Sequence, residues 1–314
     1  MTEPASGIPA FINASAGSAD EARSALDGNS AFDVHEIPPE ELAAALRHAV
    51  AQGKTRVLVA GGDGTIATAA SAMVGGTGEL AILPGGTLNH FATDLGIPGE
   101  APEALALAAS GTARPADAAM VNDRLFLNTS SVGAYVHFVK VREYLEPRFG
   151  YRIASAIAAF RILFQLRLIT VELEVEGTRR TYRTPVVFIG VGERELKLPT
   201  LGNRVPQGRR GLHVLVVQGR SAGRMLALAL NAVARGVKTA ARSPALDSFI
   251  VDRCTITLRR SSTIAVDGEI VSLGTPLEYR IERDAIRVVC VRERRTRRAP
   301  GVHRRRGTRA SQAR

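Results

Sequence analysis

The first 125 residues alternate short apolar runs with alanine-rich stretches, a pattern typical of β-α units on a parallel sheet. Apolar runs predict strands at residues 8–13, 56–60 and 80–83. Helices are predicted after them at residues 66–74, 88–95 and 102–111, with glycine or proline near their ends. This part of the chain is therefore expected to form a three-layer α/β domain, residues 1–124.

Beyond residue 125 the pattern changes to β-branched runs bounded by turns, which is typical of short antiparallel strands. Strands are predicted at residues 170–176, 184–191, 212–218, 248–258, 262–266 and 278–281. We therefore expect a C-terminal antiparallel β-sandwich domain, residues 125–291, whose last strand can return to the first domain. The fold class is α/β with this second domain attached.

Two helical segments interrupt the predicted sandwich. In residues 151–167, the large side chains of Ile153, Ile157 and Phe160 recur at helical spacing, and we expect this helix to pack on the sandwich. Residues 222–238 form an apolar stretch with basic ends, which also suits a helix lying at an anionic membrane surface.

Length and composition narrow the class of protein. A chain of 314 residues accommodates two domains, and 45% hydrophobic with 23% charged residues excludes a disordered or fibrous chain. No window approaches the ~18 uninterrupted apolar residues of a membrane span. The two cysteines form no disulfide framework or metal-binding spacing, and the N-terminus lacks signal-peptide features, so we expect a cytoplasmic, peripherally membrane-associated protein.

The net charge of +11 is unevenly distributed along the chain. Residues 1–130 carry 6 Lys and Arg against 15 Asp and Glu, residues 131–290 carry 25 against 14, and residues 291–314 carry 10 against one. An acidic first half argues against specific nucleic-acid binding, and no aromatic residue interleaves the arginines of the tail. We expect a disordered tail, residues 292–314, that increases occupancy of an anionic membrane.

The most informative segment joins a predicted strand to a predicted helix through five residues, Gly61, Gly62, Asp63, Gly64 and Thr65. Glycine lacks Cβ, so this backbone can adopt positive φ and approach a ligand closely, and the N-terminus of the following helix attracts phosphate. Thr65 is predicted to cap that helix or to bind a phosphate oxygen. An ordinary tight turn explains three glycines around an aspartate poorly.

A second glycine-rich turn follows the next predicted strand and contains Gly85, Gly86, Thr87, Asn89 and His90. Turns at the carboxyl ends of neighbouring parallel strands face one crevice. Together the segments GGDGT and PGGTLNHFA resemble the diacylglycerol kinase catalytic-domain family, which includes bacterial lipid kinases and sphingosine kinases and is related to the NAD kinases. The resemblance extends from Phe11 to about Val291.

The resemblance implies roles for the late segment Val266-Asp267-Gly268-Glu269. In the family, the Asp of this motif is the general base on the lipid hydroxyl and the Glu helps to hold nucleotide-bound Mg²⁺, so Asp267 and Glu269 are the expected catalytic residues and Glu269 the expected metal ligand. Phosphoryl transfer independently requires a carboxylate to orient the hydroxyl and an oxygen ligand for a hard cation. Asp117 matches a family carboxylate that supports the base.

Other positions depart from the family pattern. Asn13 and Gly17 match the family's nucleotide-side element, but Ala14 and Ala16 replace its usual Pro and Ser. His90 stands where many members carry Asp. The stretch from Arg209 to His213 replaces acidic residues that form a structural Mg²⁺ site in some relatives, so we expect that site to be absent.

The sequence thus predicts an ATP- and Mg²⁺-dependent lipid kinase that acts at an anionic membrane surface and can form a homodimer. Diacylglycerol is the expected acceptor. Two alternatives remain open from the sequence: a kinase for a soluble substrate of the NAD kinase type, and a non-catalytic lipid or nucleotide sensor.

Overall fold

The computed structural model describes residues 7–164, 168–197, 200–217, 246–259 and 262–291. Within these ranges the strands are β1 (Ile8–Asn13), β2 (Phe32–Ile37), β3 (Arg56–Gly61), β4 (Glu79–Pro84), β5 (Thr112–Val121), β6 (Arg124–Phe126), β7 (Thr129–Gly133), β8 (Ile169–Val175), β9 (Thr178–Thr184), β10 (Val186–Val191), β11 (Arg194–Lys197), β12 (Thr200–Arg204), β13 (Leu212–Val217), β14 (Leu246–Val251), β15 (Arg253–Leu258), β16 (Ser262–Val266), β17 (Glu269–Leu273) and β18 (Leu277–Cys290). The helices are α1 (Ala19–Leu26), α2 (Pro39–Ala51), α3 (Asp63–Met73), α4 (His90–Asp94), α5 (Ala101–Ser110) and α6 (Ala134–Phe164).

The N-terminal half is a parallel sheet covered by helices on both faces. Its strands lie in the order β2-β1-β3-β4. Alternating side chains of β3 face opposite layers: Val57 and Val59 pack in the core formed with α2 and α3, whereas Leu58 and Ala60 pack with α1 and α5. Because the strand is buried on both faces, its sequence is continuously apolar, and the predicted three-layer α/β architecture is confirmed.

The 14-residue strand β18 connects the two halves of the molecule. Its first residues pair antiparallel with β15, whereas Arg287 and Val288 near its end pair in parallel with β4. β5 runs antiparallel along most of β18. One mixed sheet therefore extends from the parallel half into the second half, where β8 and β9 complete it.

The second half is the expected antiparallel sandwich. A six-stranded sheet in the order β14-β13-β10-β7-β16-β17 shares a hydrophobic core with β8, β15 and the start of β18. The prediction of one strand at residues 248–258 is wrong, because the chain turns at Asp252 and enters two different sheets as β14 and β15. The charged pair Asp252-Arg253 stands at this corner, but β-branched residues on both sides of it made the segment resemble one strand.

Helix α6 is longer than the predicted helix at 151–167 because it begins at Ala134. Pro147 and the positive φ of Gly150 (71°) interrupt it, and those two residues made its first half unrecognisable as a helix. The helix packs on the sandwich as expected, but it does so through small side chains: Ala158 is buried in a cluster with Ala265, whereas Ile153 is exposed. Across the described ranges, no helix has the combination of length and apolar character needed to cross a membrane. The predicted helix at 222–238 and the tail at 292–314 lie outside the described residues.

Candidate active site

The two glycine-rich turns pack directly against each other. The backbone N–H of Gly85 donates to the carbonyl of Gly61 at 2.9 Å. A Cβ atom on Gly86 would lie 2.8 Å from Cα of Gly62, which is closer than side-chain atoms approach. The sequence predicted that glycines of these turns adopt positive φ angles. That prediction is wrong, because no glycine of the two turns has a positive φ. Glycine is required in these turns because the two backbones approach each other too closely for a side chain.

Asn89 closes the second turn. It adopts a left-handed φ of 47°, its Oδ1 accepts the N–H of Gly86 at 2.8 Å, and its Nδ2 donates to the carbonyl of Gly86 at 2.7 Å. Helix α4 begins only after this residue, which explains why it is shorter than the predicted helix at 88–95. Asp63, the first residue of α3, accepts the N–H of Phe91 in α4 at 3.4 Å. These bonds hold the turns and both helix N-termini in one arrangement.

The predicted nucleotide-side residue Asn13 lies beside the first turn. Its Nδ2 donates to Oγ1 of Thr65 at 3.1 Å. Helix α3 has Gly62 at its N-cap position, so the prediction that Thr65 caps this helix is wrong. Gly17 has open space where a Cβ would be. Asn13 and Thr65 thus form a polar pair at the carboxyl ends of β1 and β3.

Asp267 and Gly268 form the two-residue turn between β16 and β17, with positive φ values of 47° and 89°. The Asp267 carboxylate accepts backbone N–H groups from Leu127 at 2.7 Å, Asn128 at 2.8 Å and Thr129 at 2.9 Å. Burial raises the pKa of Asp267, although these three donors favour the charged form. A carboxylate has about four acceptor positions. These bonds occupy two on Oδ1 and one on Oδ2, so Oδ2 keeps one acceptor position that can bind another group.

Glu269 extends from the same turn towards the glycine-rich segment. Its Oε2 accepts from Arg124 at 2.5 Å. Its Oε1 lies 3.1 Å from the position that a Cβ of Gly64 would occupy. The hairpin and the first turn of α3 therefore meet at this carboxylate.

A cavity of about 340 Å³ lies where these elements converge. It brings together five predicted site residues: Asp63, Gly86, Thr87, Asp267 and Glu269. The remaining wall comes from α4, α6 and the strands of the sandwich, through Leu88, His90, Asn128, Thr129, Tyr135, Arg142, Glu146, Tyr151, Phe188, Arg194 and Gly268. The cavity thus joins a glycine-rich turn to the two carboxylates of the β16–β17 hairpin.

Sequence reasoning missed two arginines in this wall. The side chain of Arg194 is only 2% exposed, and its Nη2 lies 2.9 Å from Oδ2 of the equally buried Asp94 at the end of α4. The guanidinium of Arg142 lies over the ring of Tyr151, 5.4 Å from its centroid. An arginine between two glutamates, as Arg194 is, looks solvent-exposed in a sequence, and nothing in its neighbourhood marked it.

Asp117 is buried but does not line the cavity. Its carboxylate accepts from Nε of Arg210 at 2.8 Å, from Nη2 of the same guanidinium, and from the N–H of Asp284 at 3.0 Å. Burial opposes its ionisation, but Arg210 and this N–H outweigh that effect and hold the pKa of Asp117 below its usual value. The side chain of Arg210 also pairs with Asp284 at 2.7 Å. This arginine therefore ties β5 and β18 to the start of β13.

The cavity offers oxygen donors that suit Mg²⁺. In kinase sites this ion takes one or two carboxylates together with substrate phosphates. Asp63 and Glu269 supply carboxylates to the cavity, and Arg124 pairs with only one oxygen of Glu269. Among the described residues no group of three or more potential metal ligands converges, so the phosphates of a substrate would have to complete the coordination.

Comparisons with known proteins found sequence similarity in part of the chain. Residues 8–121 match the family model of the diacylglycerol kinase catalytic domain. A Pseudomonas aeruginosa protein named "Probable lipid kinase YegS-like" is 48% identical over 90 residues, which cover 28% of this chain and 30% of that protein. A protein of the same name from Cronobacter sakazakii is 43% identical over 88 residues, 27% of this chain and 29% of that protein. Each alignment thus spans less than a third of the relative.

Solved structures share the fold over a much larger part of the chain. The crystal structure of a diacylglycerol kinase from Bacillus anthracis superposes with a TM-score of 0.65 at 18% identity, covering 91% of this chain and 97% of that chain. A second structure from that organism reaches a TM-score of 0.72 at 19% identity over the same shares. At these identities the likeness concerns the fold, whereas the family model matches the sequence itself. Over residues 8–121 the sequence of this chain is therefore similar to the diacylglycerol kinase catalytic domain.

Proposed function

We propose that this protein is an ATP-dependent lipid kinase that transfers the γ-phosphoryl group to a lipid hydroxyl, with diacylglycerol as acceptor and phosphatidic acid as product. The observation that supports this most directly is the cavity that joins Gly86 and Thr87 to Asp267 and Glu269. Phosphoryl transfer depends mainly on positioning and charge neutralisation, and this cavity places a nucleotide-type turn beside carboxylates.

The glycine-rich turns would bind the phosphates of ATP. The N-terminus of the 11-residue helix α3 carries free N–H groups and a positive dipole end. Asp63 in its first turn would repel phosphate unless a cation lay between them. A bound Mg²⁺ would supply that charge neutralisation, and Glu269 with Asp63 would hold it.

Asp267 would accept the proton of the lipid hydroxyl. Its three backbone donors fix the orientation of the carboxylate, and the acceptor position left on Oδ2 is available to the hydroxyl. The raised pKa makes this carboxylate a better proton acceptor than an ordinary aspartate. Orientation and basicity thus both favour the role of general base.

The side of the cavity formed by the second half of the chain suits an acceptor with apolar parts. Tyr135, Tyr151 and Phe188 supply aromatic surface, and Tyr135 packs edge-on against Phe188 with ring centroids 5.4 Å apart. Aromatic walls with a few polar groups are typical of sites for partly apolar ligands. This favours a lipid over a soluble dinucleotide as acceptor.

The test is transfer of label from γ-labelled ATP, with Mg²⁺, to diacylglycerol, ceramide, sphingosine or a polyprenol in mixed micelles, with the Asp267→Asn variant as control. We expect labelled phosphatidic acid with the wild type and at least about a hundredfold less with the variant. Transfer only to a soluble acceptor such as NAD would instead identify a kinase of the NAD kinase type. Binding of ATP without transfer to any acceptor would identify a sensor.

A further inference from the structure

Asn128 is a buried polar residue beside the proposed base. Its backbone N–H donates to Oδ1 of Asp267 at 2.8 Å, and its carbonyl accepts the N–H of Val191 at 2.9 Å. These two bonds fix the backbone of Asn128 between the β16–β17 hairpin and β10. The residue lines the cavity and is only 5% exposed. A side-chain amide is therefore held next to the carboxylate that the lipid hydroxyl would meet.

The fold itself makes no use of this amide oxygen. In the described part of the chain, Oδ1 of Asn128 has no hydrogen-bond partner. The neighbouring backbone N–H groups of Leu127 and Thr129 already donate to Asp267, so neither is left for the side chain of Asn128 to accept. A buried polar atom without a partner lowers the stability of a fold. A polar group of a bound ligand would remove this cost.

Other asparagines of this protein use their side chains to support the backbone. Asn89 has a positive φ, and its amide makes two bonds with the backbone of Gly86. Asn122 also has a positive φ, and its Oδ1 accepts the N–H of Glu278 at 2.8 Å. Asn128 does not have a positive φ, so the left-handed conformation that asparagine tolerates does not explain its presence either.

The cavity wall around Asn128 indicates the kind of ligand. Tyr135 and Phe188 supply aromatic surface, and Asp267 keeps one acceptor position on Oδ2 for a hydroxyl. A suitable ligand would therefore carry a hydroxyl, an apolar part, and a polar atom within a few bonds of the hydroxyl. A diacylglycerol has an ester carbonyl oxygen at that distance, and an amide N–H donates to such an oxygen.

We propose that the side-chain amide of Asn128 binds the acceptor lipid, with Nδ2 donating to the ester carbonyl oxygen next to the hydroxyl that is phosphorylated. The last side-chain torsion of asparagine is broad and roughly two-fold, so Nδ2 and Oδ1 can exchange places to face this oxygen. The bond would hold the hydroxyl at Asp267 and favour acyl-linked over alkyl-linked glycerolipids. The inference rests on the proposed lipid-kinase function and makes Asn128 a residue that determines acceptor specificity.

The first test compares a short-chain 1,2-diacylglycerol with the corresponding 1,2-dialkylglycerol, which has ether oxygens and no carbonyl. In mixed micelles with ATP and Mg²⁺, we expect the wild type to have a kcat/KM about tenfold or more higher for the diacylglycerol. Asn128→Leu keeps the branched shape of asparagine but has no polar side-chain atoms. This variant should lose the preference through a lower kcat/KM for the diacylglycerol alone, and the KM of ATP should stay unchanged.

The outcomes separate this inference from the proposed function. Equal use of the two acceptors by the wild type, or an unchanged preference in Asn128→Leu, would overturn the inference and leave the lipid-kinase function standing. An increased KM of ATP in the variant would place the amide at the nucleotide and would also overturn it. Absence of transfer from ATP to either lipid by the wild type would contradict the proposed function, and the inference would fall with it.

The second test measures stability and needs no catalysis. Asn128→Leu removes a buried polar atom that has no partner, so the midpoint of thermal unfolding should stay unchanged or rise. The matched control is Asn122→Leu, which removes the bond to Glu278 and places leucine at a positive φ, so its midpoint should fall. Asn122 does not line the cavity, and its variant should keep the wild-type preference for the diacylglycerol. A fall for Asn128→Leu as large as that for the control would show a structural role and overturn the inference.

Discussion

Gly64 and Glu269 meet across the cavity: a Cβ atom on Gly64 would lie 3.1 Å from Oε1 of Glu269. The first turn of α3 and the β16–β17 hairpin are therefore matched in shape at this point. The absence of a side chain at residue 64 lets the carboxylate approach the helix N-terminus, where the phosphates of a nucleotide are proposed to bind.

Replacing Gly64 by Ala should reduce kcat about tenfold or more, because the methyl group would displace the Glu269 carboxylate from this position. Alanine suits a helical position better than glycine, so the midpoint of thermal unfolding should not fall. Steady-state kinetics over a Mg²⁺ titration, together with calorimetry, measure both effects. Gly99→Ala is the control, since a Cβ there meets nothing within 4 Å. Wild-type kinetics for Gly64→Ala would show that the position of Glu269 is unimportant.

The Asp267→Asn variant should lose at least about a hundredfold in kcat, as expected for a positioned base. It should also unfold more easily, because the amide Nδ2 would face a backbone N–H that the carboxylate accepts in the wild type. The pH profile of the wild-type kcat separates catalysis from stability. A base acts only when it is deprotonated, so kcat should fall as the pH decreases. Because the pKa of Asp267 is raised, the midpoint of this fall should lie above the ordinary aspartate value of about 4. A kcat that stays constant down to that value while the protein remains folded would contradict the role.

The variant Arg210→Gln should have a free energy of unfolding about 1–2 kcal/mol lower than that of the wild type. The loss is smaller than for a fully buried ion pair, because the side chain of Arg210 is 49% exposed. The pKa of Asp117 is lowered in the fold, so the stability that this pair contributes is present above about pH 4 and is lost as the pH falls below that value. Urea unfolding of Arg210→Gln, Asp117→Asn and the double variant, at pH 7 and at lower pH, measures the coupling. Additive effects of the two substitutions at pH 7 would show that the pair contributes nothing.

His213 should make the fold sensitive to moderate acid. Its Nδ1 accepts the backbone N–H of Arg194 at 3.0 Å, which requires the neutral ring, and its Nε2 lies 2.9 Å from Oγ of Ser248. Burial lowers the pKa of His213, so its contribution is complete above about pH 6.5 and is lost as the pH falls below that value. Asparagine keeps an acceptor near the Nδ1 position, and we expect the Tm of His213→Asn to fall less between pH 7 and pH 5 than that of the wild type. Parallel Tm curves would exclude His213 as the sensitive group.

Much of the chain's structure is determined locally and could be predicted from the sequence. The continuously apolar strands β1, β3 and β4 predicted a parallel sheet, because only strands buried on both faces lack polar alternation. The dipeptide Asp267-Gly268 is typical of a tight turn between strands, since both positions have a positive φ that Asp and Gly tolerate. The two glycine-rich turns were also recognisable, although the reason for their glycines was close approach of the turns rather than positive φ.

Tertiary structure decided what depends on partners distant in the sequence. The strand-like pattern of residues 248–258 resumes directly after Asp252 and Arg253, and only the tertiary structure shows that the two parts enter different sheets. The pairing of Asp117 with Arg210 and of Asp94 with Arg194 joins segments about 100 residues apart, and a charged residue in a sequence carries no sign of which opposite charge it will meet. The helical spacing of α6 predicted an amphipathic helix, but periodicity does not say which face is buried. That choice depended on the sandwich surface, against which Ala158 is buried in a cluster with Ala265, whereas Ile153 remains exposed.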